Sequence, residues 1–354
     1  MIGRAALAVL VAFAVAGCFG LRHTAPGYQP AAEVPYEAVA PLVLARAHLE
    51  AGELGPARAI LADLSGRFPG AMAIGVMAQE AELGGASDER RAEITLAAAE
   101  RARERPDVTS LLLAARLEPD PDRARESIER ALEIDPDSAW AHYALAHLEA
   151  RSGNWAQAQK SLARALDLEP GHLRARRLEA ALLERDGKRE QAIAAYRGWL
   201  AASDSHPLVD GSARTLARLD LAQLYLLEGR EGDALDVLEG LAGEESQAAR
   251  RFAILAAVEQ ALGRPERAIE AAREAQLRDP EDPLPLVQQA LLEEHWLENP
   301  ERAREAWRRV LEVARERSDL SALILSLRAR VALERSQESG EASPGDAEPP
   351  APRS

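Results

Sequence analysis

The chain has 354 residues, one cysteine and a formal net charge of −15, with 47% hydrophobic, 29% charged and only 4% aromatic residues. A lone cysteine rules out an internal disulfide and a thiolate metal cluster. So negative a field argues against binding phosphate backbones, and no nucleic-acid partner is expected. The Ala- and Leu-rich, aromatic-poor mix suits close helix packing and argues against a β-rich fold.

In chain order, the first element is a leader. Arg4 precedes an apolar run over residues 5–16, small residues follow, and Cys18 comes next. This is the layout of a secretory signal peptide, and the run is shorter than the about 20 residues that span a bilayer. The stretch Val15, Ala16, Gly17, Cys18 resembles the lipobox of bacterial lipoproteins. The resemblance implies a signal peptide at 1–17, a lipid on the Cys18 thiol and cleavage before it. Each buried CH₂ of the acyl chains adds ~0.8 kcal/mol, so two or three chains hold the protein to a membrane. Phe19, where an inner-membrane protein of enteric bacteria tends to carry Asp, favours the outer membrane facing the periplasm. Residues 18–37, with Pro26, Pro30 and Pro35, read as a lipidated tether.

From residue 38 the chain repeats with a period of about 34 residues. The clearest repeat is 139–172, with Leu145 and Ala146 in a first helix, Gly153 and Asn154 at a turn, Ala158, Leu162 and Ala165 in a second helix, and Pro170 as its stop. Two antiparallel helices approach closely only where side chains are small, so Ala146 and Ala158 are expected to face each other. Gly153 suits a left-handed helix end, and Pro170 cannot continue the helical hydrogen bonds. These offsets resemble the tetratricopeptide repeat. The frame recurs at 38–71 (Leu44, Ala45, Gly52, Ala57, Leu61, Pro69), 105–138 (Leu111, Ala124, Ile128, Ala131, Pro136), 173–206 (Ala180, Gly187, Ala192, Tyr196), 215–248 (Leu221, Ala222, Tyr225, Gly229, Ala234, Leu238) and 249–282 (Leu255, Ala256, Gly263, Ala268, Ala275, Pro280). Repeat 72–106 is degenerate, keeping Ala92, Leu96 and Ala99 after a stretched turn at Gly84 and Gly85. Repeat 284–317 keeps Ala303 and Trp307 but has Glu298, Asn299 and Pro300 in place of the turn glycine.

The expected fold is therefore all-α, a right-handed α-solenoid of about eight tetratricopeptide helix pairs plus a C-terminal capping helix. Repeats one to five occupy 38–206 and repeats six to eight 215–317. Trp199 stands where a small residue is wanted, and a loop at 207–214 follows, marking either a boundary between half-arrays or a tolerated insertion. Residues 318–336 read as a capping helix over the last apolar face. The tail 337–354, rich in Pro, Gly, Glu and Ser, reads as disordered.

Within that family, an extended peptide or helix lies in the concave groove lined by the first helix of each pair. Carrying the usual lining places onto this chain gives Trp140, Tyr143, His147 and Arg151, then Arg174, Arg177 and Arg185 with Glu184 among them, then Thr109 and Arg116. Repeat 215–248 adds Leu216, Leu219, Gln223 and Leu226. Arginine forks suit carboxylates and the aromatic rings stack, so the expected ligand is an acidic peptide segment or C-terminus. The alternative is that these arginines only lay their stems along helix faces. Trp155, Trp199 and Trp307 are expected to fill the core.

The chain shows no HExxH, GxSxG or Walker motif and no GxGxxG after a strand. His142 and His147, five apart, do not share a helix face as a metal pair would. No catalytic site, metal or cofactor is expected. The expected partners are proteins, with membrane attachment through the N-terminal lipid. Lipid-anchored proteins of this repeat family assist pilus and secretin assembly, outer-membrane protein assembly or polysaccharide export. A glycan- or peptidoglycan-associated module and an adaptor of a periplasmic hydrolase are the alternatives.

Overall fold

Local signals set where the helices begin. Ser138 accepts from the backbone N–H of Ala141 and Ser87 from that of Arg90. Asp107 and Ser110 form a reciprocal capping box, and Pro121 opens a helix behind the Asp120 cap. Each arrangement satisfies first-turn N–H groups that have no helical partner.

The computed structural model describes residues 34–203, 206, 209, 211–241, 247–315, 325–326 and 328–333. The expected signal peptide, Cys18, nearly all of the tether and the tail 337–354 lie outside these residues. Among the described residues the secondary structure is helical, without strands. The helices follow in pairs: α1 (Tyr36–Glu50) and α2 (Leu54–Arg67), α3 (Met72–Leu83) and α4 (Asp88–Glu104), α5 (Val108–Leu117) and α6 (Pro121–Ile134), α7 (Ala139–Arg151) and α8 (Trp155–Leu168). After these come α9 (Leu173–Arg185) and α10 (Arg189–Ser203), α11 (Gly211–Leu227) and α12 (Glu231–Glu239), α13 (Ala248–Ala261) and α14 (Pro265–Arg278), α15 (Leu284–His295) and α16 (Pro300–Arg315). The all-α fold of successive helix pairs is the one the repeat predicts.

The chain forms two compact units, Met1–Leu182 with Ser205–Leu208, and Leu183–Asp204 with Val209–Ser354. The division falls within α9, not at the 207–214 loop. Helix α11 also starts at Gly211, inside the segment expected to be loop.

In the first unit, Ala146, Ala158, Leu162, Ala165, Ala175 and Leu182 share one cluster, with both Ala146 and Ala158 fully buried. The first helices of successive pairs also touch, α3 against α5 and α5 against α7. Glu149, buried on α7, accepts from Arg125 Nη1 of α6 at 2.6 Å and from Asn154 Nδ2 at 2.8 Å. The Arg125 hydrogen bond holds the Glu149 carboxyl below its usual range. Repeat 72–106 departs from the frame. Leu96 is 64% exposed and Ala92 is exposed, leaving Ala102 as the buried residue of α4. Thr95, one place before Leu96, is half-buried instead. Leu44 is likewise exposed, and Leu42 fills the core in its place.

In the second unit, Trp199 and Trp307 are buried, so a large ring is accommodated at both places. Trp155, in the first unit, is only half-buried. Leu325 and Ala329 pack with Leu286, Ala306, Trp307 and Val310, covering the apolar face of the last helix pair.

The turn residue divides the repeats. Gly153 has φ +77°, and the chain closes behind it with Asn154 N–H donating to the Glu149 carbonyl at 2.9 Å. Repeat 284–317 closes over one residue more, Asn299 N–H to the Glu293 carbonyl at 2.7 Å, with Glu298 at φ +48°. A Cβ in that region is strained by roughly 1–2 kcal/mol. Glu298→Gly should therefore raise stability by about 0.5–1 kcal/mol, Gly153→Ala should lower it by about 1 kcal/mol, and Ala158→Leu should cost about 1–3 kcal/mol by overpacking. Urea unfolding midpoints check all three signs.

Candidate functional site

The first helices of the first unit bring a set of charged and aromatic side chains together. Its centre is an acid, Glu80 of α3. Its Oε1 takes Arg174 Nη2 of α9 at 2.9 Å and lies 3.7 Å from Arg116 Nη2 of α5, while its Oε2 lies 3.4 Å from Arg46 Nη2 of α1. Gln79 fixes the geometry beside it. Its Nε2 donates to the Leu113 carbonyl at 2.8 Å, and its Oε1 accepts from Arg116 Nη1 at 3.0 Å. Burial lowers the Arg116 pKa from its ordinary value, with Glu80 acting in the opposite sense and Arg174 adding to the lowering. Three guanidinium groups thus converge on the Glu80 carboxylate.

Helix α7 lines the cluster with rings. Trp140 and Tyr143 meet edge to face, with centroids 6.0 Å apart and planes at 86°. His172, at the start of α9, lies 4.5 Å from Trp140 and 5.0 Å from Tyr143, and Tyr143 lies 6.1 Å from His147. His172 is 3% exposed, and its Nδ1 accepts from Ala175 N–H at 3.2 Å. That bond assigns the proton to Nε2, which is buried without a partner. Burial first, and Arg174 second, push His172 down to about 4. His147 is lowered by desolvation and by Arg151, Arg174 and Arg116. Arg151 lies at the end of α7 and makes no ion pair among the described residues. Arg177 lies one turn along α9 from Arg174.

The other expected lining residues do not join this set. Thr109 is buried and donates to the Gly70 carbonyl at 3.0 Å. Leu219 is fully buried, a core residue and not a lining one, because α11 turns it toward its own packing face. In the second unit Arg185 is held by Asp186 at 2.8 Å. Gln223 is exposed and accepts from Arg250 at 3.4 Å, while Leu216 and Leu226 are half-buried. Glu184 and Asp220 share the Tyr196 hydroxyl at 3.2 and 3.3 Å, and burial followed by Asp220 raises the Glu184 carboxyl.

Sequence reading missed Arg46, Gln79, Glu80 and His172. The signal for two of them was present. Arg46, Glu80 and His147 all occupy the ninth place of their repeats, one of the lining places. Repeat 72–106 was passed over because its second helix is out of frame, although its first helix is not. His172 closes a repeat, where no lining role is expected.

Chemically, the arrangement suits recognition of a carboxylate by a planar fork of donors. Among the described residues no group of three His, Cys, Asp or Glu side chains is placed to hold a metal ion.

A tetratricopeptide repeat family model matches residues 112–182. No curated protein matches the sequence. Among solved structures, the Cut9–Hcn1 hetero-tetramer of the APC/C is similar at 17% identity and a TM-score of 0.58, covering 78% of this chain and 52% of that one. The chain thus spans about half the length of that relative. PilW, titled a widely conserved type IV pilus biogenesis factor, is similar at 20% identity and a TM-score of 0.50, covering 67% of this chain and 100% of that one.

His172 gives the cluster a measurable pH signature. A free histidine protonates at 6.5, whereas the folded ring protonates at about 4. The unfolded chain therefore binds the proton first. The stability carried by the neutral buried ring is intact above pH 6.5 and falls away as the pH drops toward 4, by up to about 3 kcal/mol. Replacing it as His172→Gln should flatten the loss of melting temperature over that window; an unchanged slope would refute the assignment.

Proposed function

We propose, from the premise that this chain carries tetratricopeptide repeats, that it is a protein-binding scaffold whose first-helix face captures an acidic segment of a partner in the bacterial envelope. The observation that carries this reading is the convergence of Arg46, Arg116 and Arg174 beside the Trp140–Tyr143–His172 rings. Carboxylates of an extended peptide fit the guanidinium forks, and apolar side chains of the same peptide fit the rings at the rim. The rings pack on one another and on His172, which favours a peptide edge over the open stacking plane that a sugar needs.

The envelope placement rests on the lipobox-like Val15–Cys18 stretch. A lipid on Cys18 puts the repeats at a membrane, and outer-membrane attachment facing the periplasm suits Phe19. Assistance to an envelope assembly, of the pilus or secretin, outer-membrane protein or polysaccharide-export kind, follows from that placement. The fold-level likeness to PilW supports the pilus branch. In the glycan or hydrolase-adaptor alternatives, isolated murein or a change in hydrolysis rate would respond to the purified protein.

Two experiments test the reading. Arg116→Glu combined with Arg174→Glu should weaken binding of a fluorescein-labelled poly-glutamate peptide by about 100-fold or more, and undiminished binding would remove the arginine face from the account. Labelled palmitate should enter the wild-type protein in a bacterial host and not the Cys18→Ser variant; equal labelling would remove the lipid anchor.

A further inference from the structure

The seat that a ligand carboxylate would take is already occupied from within. We infer that Glu80 is a built-in competitor of the ligand, and that the partner segment binds by displacing it from Arg116 and Arg174. This inference rests on the proposed capture of acidic segments.

The geometry is asymmetric. The two arginines of the later helices, Arg116 and Arg174, share Glu80 Oε1, whereas Arg46 meets Oε2. Arg46 is the least exposed of the three, at 10% of its side-chain area, against 32% for Arg116 and 42% for Arg174. Glu80 itself is 25% exposed. An incoming carboxylate therefore reaches the Arg116–Arg174 side first. Arg46, the most enclosed of the three, stays beside Glu80 Oε2 at 3.4 Å on the side away from the opening. Arg116 does not depend on Glu80 for its position, since Gln79 holds it through Nη1 and is itself held by the Leu113 carbonyl. The fork stays set when Glu80 lets go.

The consequence is a threshold. A tethered carboxylate competes at a high effective concentration, so a ligand with one isolated carboxylate is rejected. A segment that offers several acids, reaching Arg151 as well as the central fork, overcomes the competitor by adding contacts that Glu80 cannot make. Selectivity thus comes from an internal repulsive element as well as from attraction. The occupant is an acidic peptide of more than one carboxylate.

The experiment compares wild type and Glu80→Gln in the full chain, titrated with a fluorescein-labelled poly-glutamate peptide and, as control, its poly-glutamine counterpart. Glutamine keeps the shape and an acceptor oxygen but removes the charge. The variant should bind poly-glutamate about tenfold more tightly, leave the poly-glutamine response unchanged, and lose the gain when Arg174→Glu is added. Circular dichroism melting checks the fold. If Glu80→Gln unfolds, Glu80→Asp, which keeps the charge but draws the carboxylate back by one CH₂ and weakens its hold on Arg174, should show a gain in the same direction. Equal or weaker binding by the folded variant, with wild type still binding, would overturn the inference and make Glu80 a structural brace. Absence of binding by both proteins would overturn the acidic-segment reading itself and the inference with it.

Discussion

Close approach of paired helices is the constraint on which the rest depends. Ala146 and Ala158 are fully buried at such a contact, and Ala165 and Ala175 are buried in the same cluster. Small side chains there let backbones approach, and larger ones such as Leu162 fill the flanks. Repeating the contact places first helices beside one another, so that α3 meets α5 and α5 meets α7. Side chains far apart in sequence then become neighbours. Glu80 of α3 and Arg116 of α5 come within 3.7 Å for this reason, and Arg174, 94 residues from Glu80, reaches it at 2.9 Å from the start of α9, past α5 and α7.

A convergent face of charged and aromatic side chains follows from the stacking. One side chain per first helix suffices to build a convergent cluster: Arg46 of α1, Glu80 of α3, Arg116 of α5 and Arg174 of α9 meet although they do not all hold the same place in their repeats. The cost is like-charge repulsion among the arginines, and Glu80 offsets it while Gln79 fixes the direction of Arg116. The aromatic side of the face is anchored in the same way. His172 caps α9 through Ala175 and packs its ring against Trp140 and Tyr143, tying the aromatic residues of α7 to the start of the next pair. Its neutral, desolvated ring makes this part of the face sensitive to acid, whereas the arginines keep their charge.

The fold was readable because glycine, alanine and proline each carry a backbone or packing meaning at fixed offsets. Gly153 and Pro170 mark helix ends by conformational rule, and alanines mark contacts by size. Where those rules have substitutes, the reading blurred. Glu298 takes a left-handed turn position that glycine was expected to hold, and Leu96 of α4 is exposed where a core residue was expected. The site was less readable. Family lining places found Arg116, Trp140, Tyr143, His147 and Arg174, all of which meet at one cluster. They also named Leu219, which is core, because a lining place fixes a position in the frame and not the rotation of a particular helix. Glu80 stands at a lining place of the repeat whose second helix is out of frame, although its carboxylate is the point on which the three arginines converge.

The most direct measurement of the central claim is hydrogen exchange of the full chain with and without the poly-glutamate peptide. The account predicts added protection along α3, α5, α7 and the first turn of α9, with α4, α6 and α8 unchanged. Protection confined to the second helices, or to the second unit alone, would contradict it.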